Sequence, residues 1–122
     1  MRREKLAQHV SFEQARRMGP PPEGNLAVPV LRHGTMEAEL YSPIEVDLQK
    51  PHDRDEIYVV AKGRGEFFNG TEVIAVEPGS FIFVPAGTPH YFQNFSEGFS
   101  VWVVFYGPHG GEAHVSDCRA QD

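Results

Sequence analysis

From residue 26 to residue 106 the chain is cut into short extended runs by closely spaced turns, and this feature restricts it to an all-β architecture. Residues 26–31 read as a strand, with Pro29 marking an edge or a bulge. His33-Gly34 is a turn. Residues 35–41 alternate, with Met36, Ala38 and Leu40 on one side and Glu37 and Glu39 on the other, the period of a half-buried strand. Residues 44–48 alternate again after Ser42-Pro43. Residues 57–62 are β-rich, and Asn69-Gly70 between two extended runs is the strongest hairpin signal in the chain. Residues 80–84 and 99–106 are continuously apolar, too apolar in the second case for a water-facing side. About nine short strands predict a sandwich or a barrel.

The rest of the chain narrows the partners. At 122 residues it is one domain with aromatic residues enough for a core: nine Phe, four Tyr and one Trp. A net charge of −6 without a basic run argues against nucleic acid and against an anionic membrane surface. No apolar run approaches the roughly 20 residues of a bilayer span. The charged start, residues 1–8, lacks the apolar segment of a secretory signal, and the single Cys118 leaves no intramolecular disulfide, so a reduced, cytoplasmic chain is expected. Residues 4–18 look helical, with Ser11 and Gln14 spaced as a capping box, and residues 19–24 form a proline-rich linker. The expected organisation is an N-terminal helical arm and linker over 1–24, a β-barrel over 25–108 and a polar tail over 109–122.

Two motifs lie in the middle of the barrel region. The first runs from Pro51 through His52, Asp53, Arg54, Asp55 and Glu56 to Gly63. The second contains Gly79, Pro85, Gly87, His90 and Asn94, and fifteen residues separate Gly63 from Gly79. This pattern resembles the cupin family. The second motif matches at every fixed position, and the first matches at His52, Glu56 and Gly63. The first departs at Lys50, where the family has a histidine, and at Ile44, where it has a glycine.

The resemblance implies a small single-domain cupin, a double-stranded β-helix (jelly-roll) barrel with a short N-terminal helix and an interior able to hold a ligand. The pattern of strands alone does not choose this over an immunoglobulin-like sandwich. The resemblance also implies one divalent transition metal (Fe, Mn, Ni, Zn or Cu) bound by His52, Glu56 and His90. Strand alternation puts Glu56 on one face with Tyr58 and Val60, and His90 with Phe92 and Asn94; Tyr58 and Asn94 are therefore candidates to orient the ligands.

Lys50 leaves three arrangements open. The site has three protein ligands and Lys50 turns away or serves a substrate anion; or the chain bulges before Pro51 and the Gln49 amide oxygen is a fourth ligand; or no metal binds and the polar groups hold an organic ligand. Asp53, Arg54 and Asp55 read as a solvated turn, with Asp55 alternatively tuning the site. His9, His33, His109 and His114 read as surface residues. Gly63, Gly79 and Gly87 read as turn glycines.

Two functions are expected from the resemblance. One is an enzyme on a small polar organic molecule, an Fe(II)-type dioxygenase or an isomerase. The other is a small-molecule binding or sensing module without turnover. A homodimer is expected in either case, with the N-terminal helix and the apolar strand at 99–106 as contacts.

Overall fold

A computed structural model describes residues 6–21 and 26–113 of the chain. His114 and Cys118 lie outside the described residues.

Helix α1 (Phe12–Arg17) begins where its capping signal places it. The Ser11 hydroxyl accepts from the Gln14 amide at 3.0 Å, and the Gln14 side chain accepts from the Ser11 amide at 2.8 Å. Glu13 in the first turn and Arg16 and Arg17 in the last complement the helix dipole. The helix is shorter than the run at 4–18 suggested, since residues 6–11 are not helical. Ala15, on its buried side, is fully enclosed, and the helix packs on the first strand.

Eight strands follow: β1 (Val28–His33), β2 (Met36–Tyr41), β3 (Asp55–Lys62), β4 (Gly65–Phe68), β5 (Val73–Val76), β6 (Phe81–Val84), β7 (Tyr91–Gln93) and β8 (Ser100–Tyr106). They form a five-stranded sheet in the order β1-β2-β8-β3-β6 and a three-stranded sheet in the order β5-β4-β7. Every pairing is antiparallel. The crossovers between non-consecutive strands are those of the expected jelly roll. Pro29 sits where it was anticipated, on the edge strand β1, beside a register shift between Pro29 and Leu31. Gly63 turns β3 towards β4 with φ +85°, and a Cβ there would stand 2.6 Å from the Ser96 hydroxyl and 3.1 Å from the Phe99 backbone.

The core lies between the two sheets. Tyr58, Phe67, Phe92 and Phe99 meet there, with Phe92 edge-on to Tyr58 at 5.1 Å and to Phe99 at 5.2 Å between ring centroids. Register defines the inner face of the large sheet. Tyr41, Val101 and Val60 stand in one row, Glu39, Val103 and Tyr58 in the next, and Glu37, Phe105 and Glu56 in the third. The alternation in β2 is therefore real, but Glu37 and Glu39 share the face of the core. Leu40 points the other way and is buried with Val28 and Ala15 on the side that α1 covers.

Three expectations change. Residues 44–48 are not a strand: only an isolated bridge joins Ile44 and Val46, and Ile44, Val46 and Leu48 are exposed. The inward residue of this segment is Asp47. Its carboxylate accepts from the Tyr41 hydroxyl, the Phe92 amide, and both the backbone and side-chain amides of Gln49. Four donors to one carboxylate outweigh the alternation of apolar side chains, and those side chains are left outside.

The second change concerns β8. It is the middle strand of the large sheet, with β2 and β3 bonded to its two edges, so only its face is left to meet a second subunit. Its uniform apolarity reflects that central position.

The third concerns residues 53–55, which are not a solvated turn. Asp55 is buried and accepts from the Ala86 amide at 2.9 Å and the Glu112 amide at 2.9 Å. Arg54 donates to Glu37 at 2.8 Å and to the carbonyls of Thr35 and Gly107. Only Asp53 of the three is exposed, paired with His109 at 2.8 Å. Asp55 lies on the face opposite Glu56 and fastens the chain after β8 to the loop before β7. His9, His33 and His109 are exposed, as expected.

Candidate metal centre

Glu56 is the second residue of β3 and points into the core, fully buried. His90 comes immediately before β7 and is also buried. His52 lies in the loop that leads into β3, half-buried, with its ring edge-on to Phe105 at 4.9 Å. The backbone amide of Gly87 donates to the His52 carbonyl, so the loop carrying one histidine is tied to the turn before the other. Among the described residues these three side chains form the one group of His, Cys, Asp or Glu donors suited to a metal ion, with ligand atoms all within 4.8 Å of one another. The three residues named from the motifs are brought together.

The tautomer of His90 follows from its partners. Its Nδ1 lies 2.7 Å from the carbonyl of Thr88, which only accepts, so Nδ1 carries a proton. That leaves Nε2 facing the interior, 2.9 Å from the Tyr58 hydroxyl and 3.0 Å from Glu56 Oε1. A backbone carbonyl behind one ring nitrogen is the arrangement that orients a metal-ligating imidazole and sharpens the basicity of the other nitrogen. Burial works against the charged imidazolium. The Glu56 carboxylate, the Thr88 carbonyl and the charge of Asp47 outweigh it and hold the His90 pKa above its ordinary value.

Glu56 has the opposite problem. The His90 ring stands at ion-pair distance but is not aligned as a hydrogen-bond donor, and neither carboxylate oxygen has a donor among the described residues. A buried carboxylate left so costs several kcal/mol relative to one in water. A cation shared by Glu56, His90 and His52 satisfies both oxygens and both imidazole lone pairs. On this ground the residues present fit a divalent transition metal: two imidazoles and a carboxylate suit Fe, Mn, Ni, Zn or Cu.

Gln49 supplies a further oxygen. Its Oε1 lies 3.0 Å from the Tyr58 hydroxyl and 3.4 Å from His52 Nε2. Its Nε2 donates to Asp47 at 3.0 Å, so the amide is held with its oxygen towards the histidines. Lys50, at the position where the family pattern has histidine, is exposed and outside the group. Tyr58 is in contact with the site, and burial first, then the Glu56 charge, pushes its phenol well above the usual tyrosine range, so it stays a neutral donor. Asn94, the other candidate to orient the ligands, is turned away: its φ is +48° and its amide donates to Glu66 at 2.8 Å.

Asp47 was the residue least visible beforehand, while Gln49 was foreseen only as one of three alternatives opened by Lys50. Asp47 sat in an apparent strand as the polar half of an alternation, and Gln49 carried no motif of its own. Glu39 was also hidden, on a face read only as the polar side of β2. It lines a cavity of about 320 Å³ together with Gln49, His52, Tyr41, Val103 and Phe105, which makes this the space next to the candidate ligands.

Comparison with known proteins agrees with this architecture. Residues 39–106 match the family model described as cupin domain. The chain is 42% identical over 80 residues to the uncharacterized protein SCO3923 of Streptomyces coelicolor, an alignment covering 64% of this chain and 76% of that protein. Among solved structures, it is similar to a protein of unknown function from Rhizobium leguminosarum, with a TM-score of 0.67 at 19% identity, covering 84% of this chain and 99% of that one. It is also similar to a cupin-2 domain containing protein from Shewanella frigidimarina, with a TM-score of 0.63 at 14% identity, covering 80% and 94% of the two chains. At these identities the two structures bear on the fold alone.

Proposed function

The chain belongs to the family of cupin domains, and from that premise we propose that it binds one divalent transition metal through His52, Glu56 and His90 and acts on a small polar organic molecule in the adjoining cavity. The observation that carries this reading is the fully buried Glu56 carboxylate, which has no hydrogen-bond donor among the described residues and stands beside two histidines. Gln49 is placed to add a neutral oxygen ligand, and the set leaves coordination positions open for a substrate. A divalent metal held there supplies Lewis-acid chemistry, and as Fe(II) the oxygen chemistry of a dioxygenase.

The residues of the chain have separate tasks in this reading. Thr88 fixes the tautomer of His90, and Asp47 fixes the orientation of Gln49. Tyr58 keeps its proton and donates it to the Gln49 oxygen, with its own oxygen beside His90 Nε2. Phe105, edge-on to His52 at 4.9 Å, covers one side of that ring.

Titration of the metal-free protein with Co(II), followed by visible absorption, tests the ligand set directly. The expected result is one Co(II) per chain with ligand-field bands, abolished by His52→Ala and by Glu56→Gln. Absence of such bands in the wild-type protein at saturating Co(II) would refute the site.

A further inference from the structure

Glu39 and Glu37 are two residues apart on β2 and share the inner face, but their surroundings differ. Glu37 is matched by Arg54 at 2.8 Å and by Arg32 at 3.6 Å. Glu39 has neither a hydrogen bond nor an ion pair with any described residue. It is half-buried in the wall of the 320 Å³ cavity, and no Lys or Arg lines that cavity among the described residues. The other polar groups there are the Gln49 amide, the Tyr41 hydroxyl already given to Asp47, and the His52 imidazole. Burial, then the charge of Glu37, raises the Glu39 pKa, and Arg32 offsets this only in part. The fold therefore maintains an unmatched carboxyl where ionisation is resisted.

Two aromatic rings, Tyr41 and Phe105, line the same space. A carboxylate with aromatic rings beside it suits a cation, by its charge and by any ring face the cation can meet. The volume is at the small end of the roughly 300–1,000 Å³ typical of small-molecule sites. We propose that Glu39 is the recognition group of this cavity, and that the ligand is a small organic cation whose charged nitrogen sits against Glu39 and whose other end reaches Gln49 and His52. The identity of that other end rests on the metal reading above; the cation preference does not, because Glu39 is set by the register of β2 on β8.

The test uses a matched set: choline, its uncharged isostere 3,3-dimethylbutan-1-ol, and 3,3-dimethylbutyrate. Each is titrated into metal-free and Zn(II)-loaded protein, and binding is read from the amide chemical shifts of Val103 and Phe105. A quaternary nitrogen has no lone pair, so its binding does not report ligation of the metal. Choline is expected to bind about tenfold or more tightly than the neutral isostere, about what one close, partly desolvated charge pair supplies, with the butyrate weakest. Glu39→Gln removes the difference between choline and the alcohol while Zn(II) stoichiometry is unchanged, and Glu37→Gln keeps it. Equal binding of choline and the alcohol to the wild-type protein, or a preference that survives Glu39→Gln, overturns the proposal. Failure to load Zn(II) with the choline preference intact overturns the metal reading alone.

Discussion

The side-chain oxygen of Gln49 accepts a hydrogen bond from the Tyr58 hydroxyl at 3.0 Å, at the edge of the group formed by His52, Glu56 and His90. An amide oxygen thus stands near the place where the family pattern has a histidine, one residue along at Lys50. Asp47 behind it receives the Gln49 side chain and three further donors, so the oxygen is held by a network and not by one contact. Replacing Gln49 by Leu removes the oxygen and keeps the three motif ligands His52, Glu56 and His90 in the chain. The expected outcome is a loss of metal affinity of about tenfold, at the low end for groups that support a metal site, measured by competition with a chromophoric chelator. Unchanged affinity would show that Gln49 serves Tyr58 alone.

Glu56 gives a crossed pair of stability changes. Without metal its buried carboxylate is countered only by His90 at 3.0 Å and has no aligned donor among the described residues; Glu56→Gln lets His90 shed its proton, removes a desolvated pair and is expected to raise Tm by several degrees. With metal the order reverses, because ligand binding stabilises only the chain that binds it. Thermal melts of both proteins with and without Zn(II) check this; a variant less stable than wild type in both conditions would show that Glu56 is matched by the protein itself.

Glu39 carries the pH dependence. Its folded pKa lies above the ordinary glutamate value of 4.5, so its ionisation is harder in the folded chain than in the unfolded one. For a carboxyl shifted upward, stability is greatest while the group is protonated in both states and falls as pH rises from the unfolded pKa through the folded one. Glu39→Gln is therefore expected to be more stable than wild type at neutral pH, with the difference closing below pH 4.5. Urea midpoints across pH measure it. A difference that grows towards acid pH would reverse the sign.

Phe92 ties the core to the site, since its ring meets Tyr58, Phe67 and Phe99 and its amide donates to Asp47. Phe92→Ala is expected to destabilise the chain by about 3–5 kcal/mol, the usual range for a fully buried phenylalanine. Chemical denaturation measures the loss, and a cost under about 1 kcal/mol would mean the core closes over the cavity.

The fold was legible because its signals are local. Pro29 at an edge, the Ser11–Gln14 capping box and the turn at Gly63 are each decided within a few residues. The triad was legible because His52, Glu56 and His90 fall on fixed positions of two motifs. Alternation was a weaker guide wherever polar groups took the inner side. In β2 it could not say which face the core would occupy, and at residues 44–48 it suggested a strand where Asp47 turns inward to four donors. Those donors come from Tyr41, Gln49 and Phe92; the last is 45 residues away, a partner that no local pattern reveals. At Lys50 the sequence left three arrangements open, and the side chain that reaches the histidines is the neighbouring Gln49, named in one of them.

The metal content of untagged protein, measured by elemental analysis alongside His52→Ala and His90→Ala, tests the central claim most directly. The account predicts about one transition-metal ion per wild-type chain and loss of that ion in both variants. Wild-type protein that holds no metal, and takes up none after exposure to Fe, Mn, Ni, Zn and Cu, would contradict it.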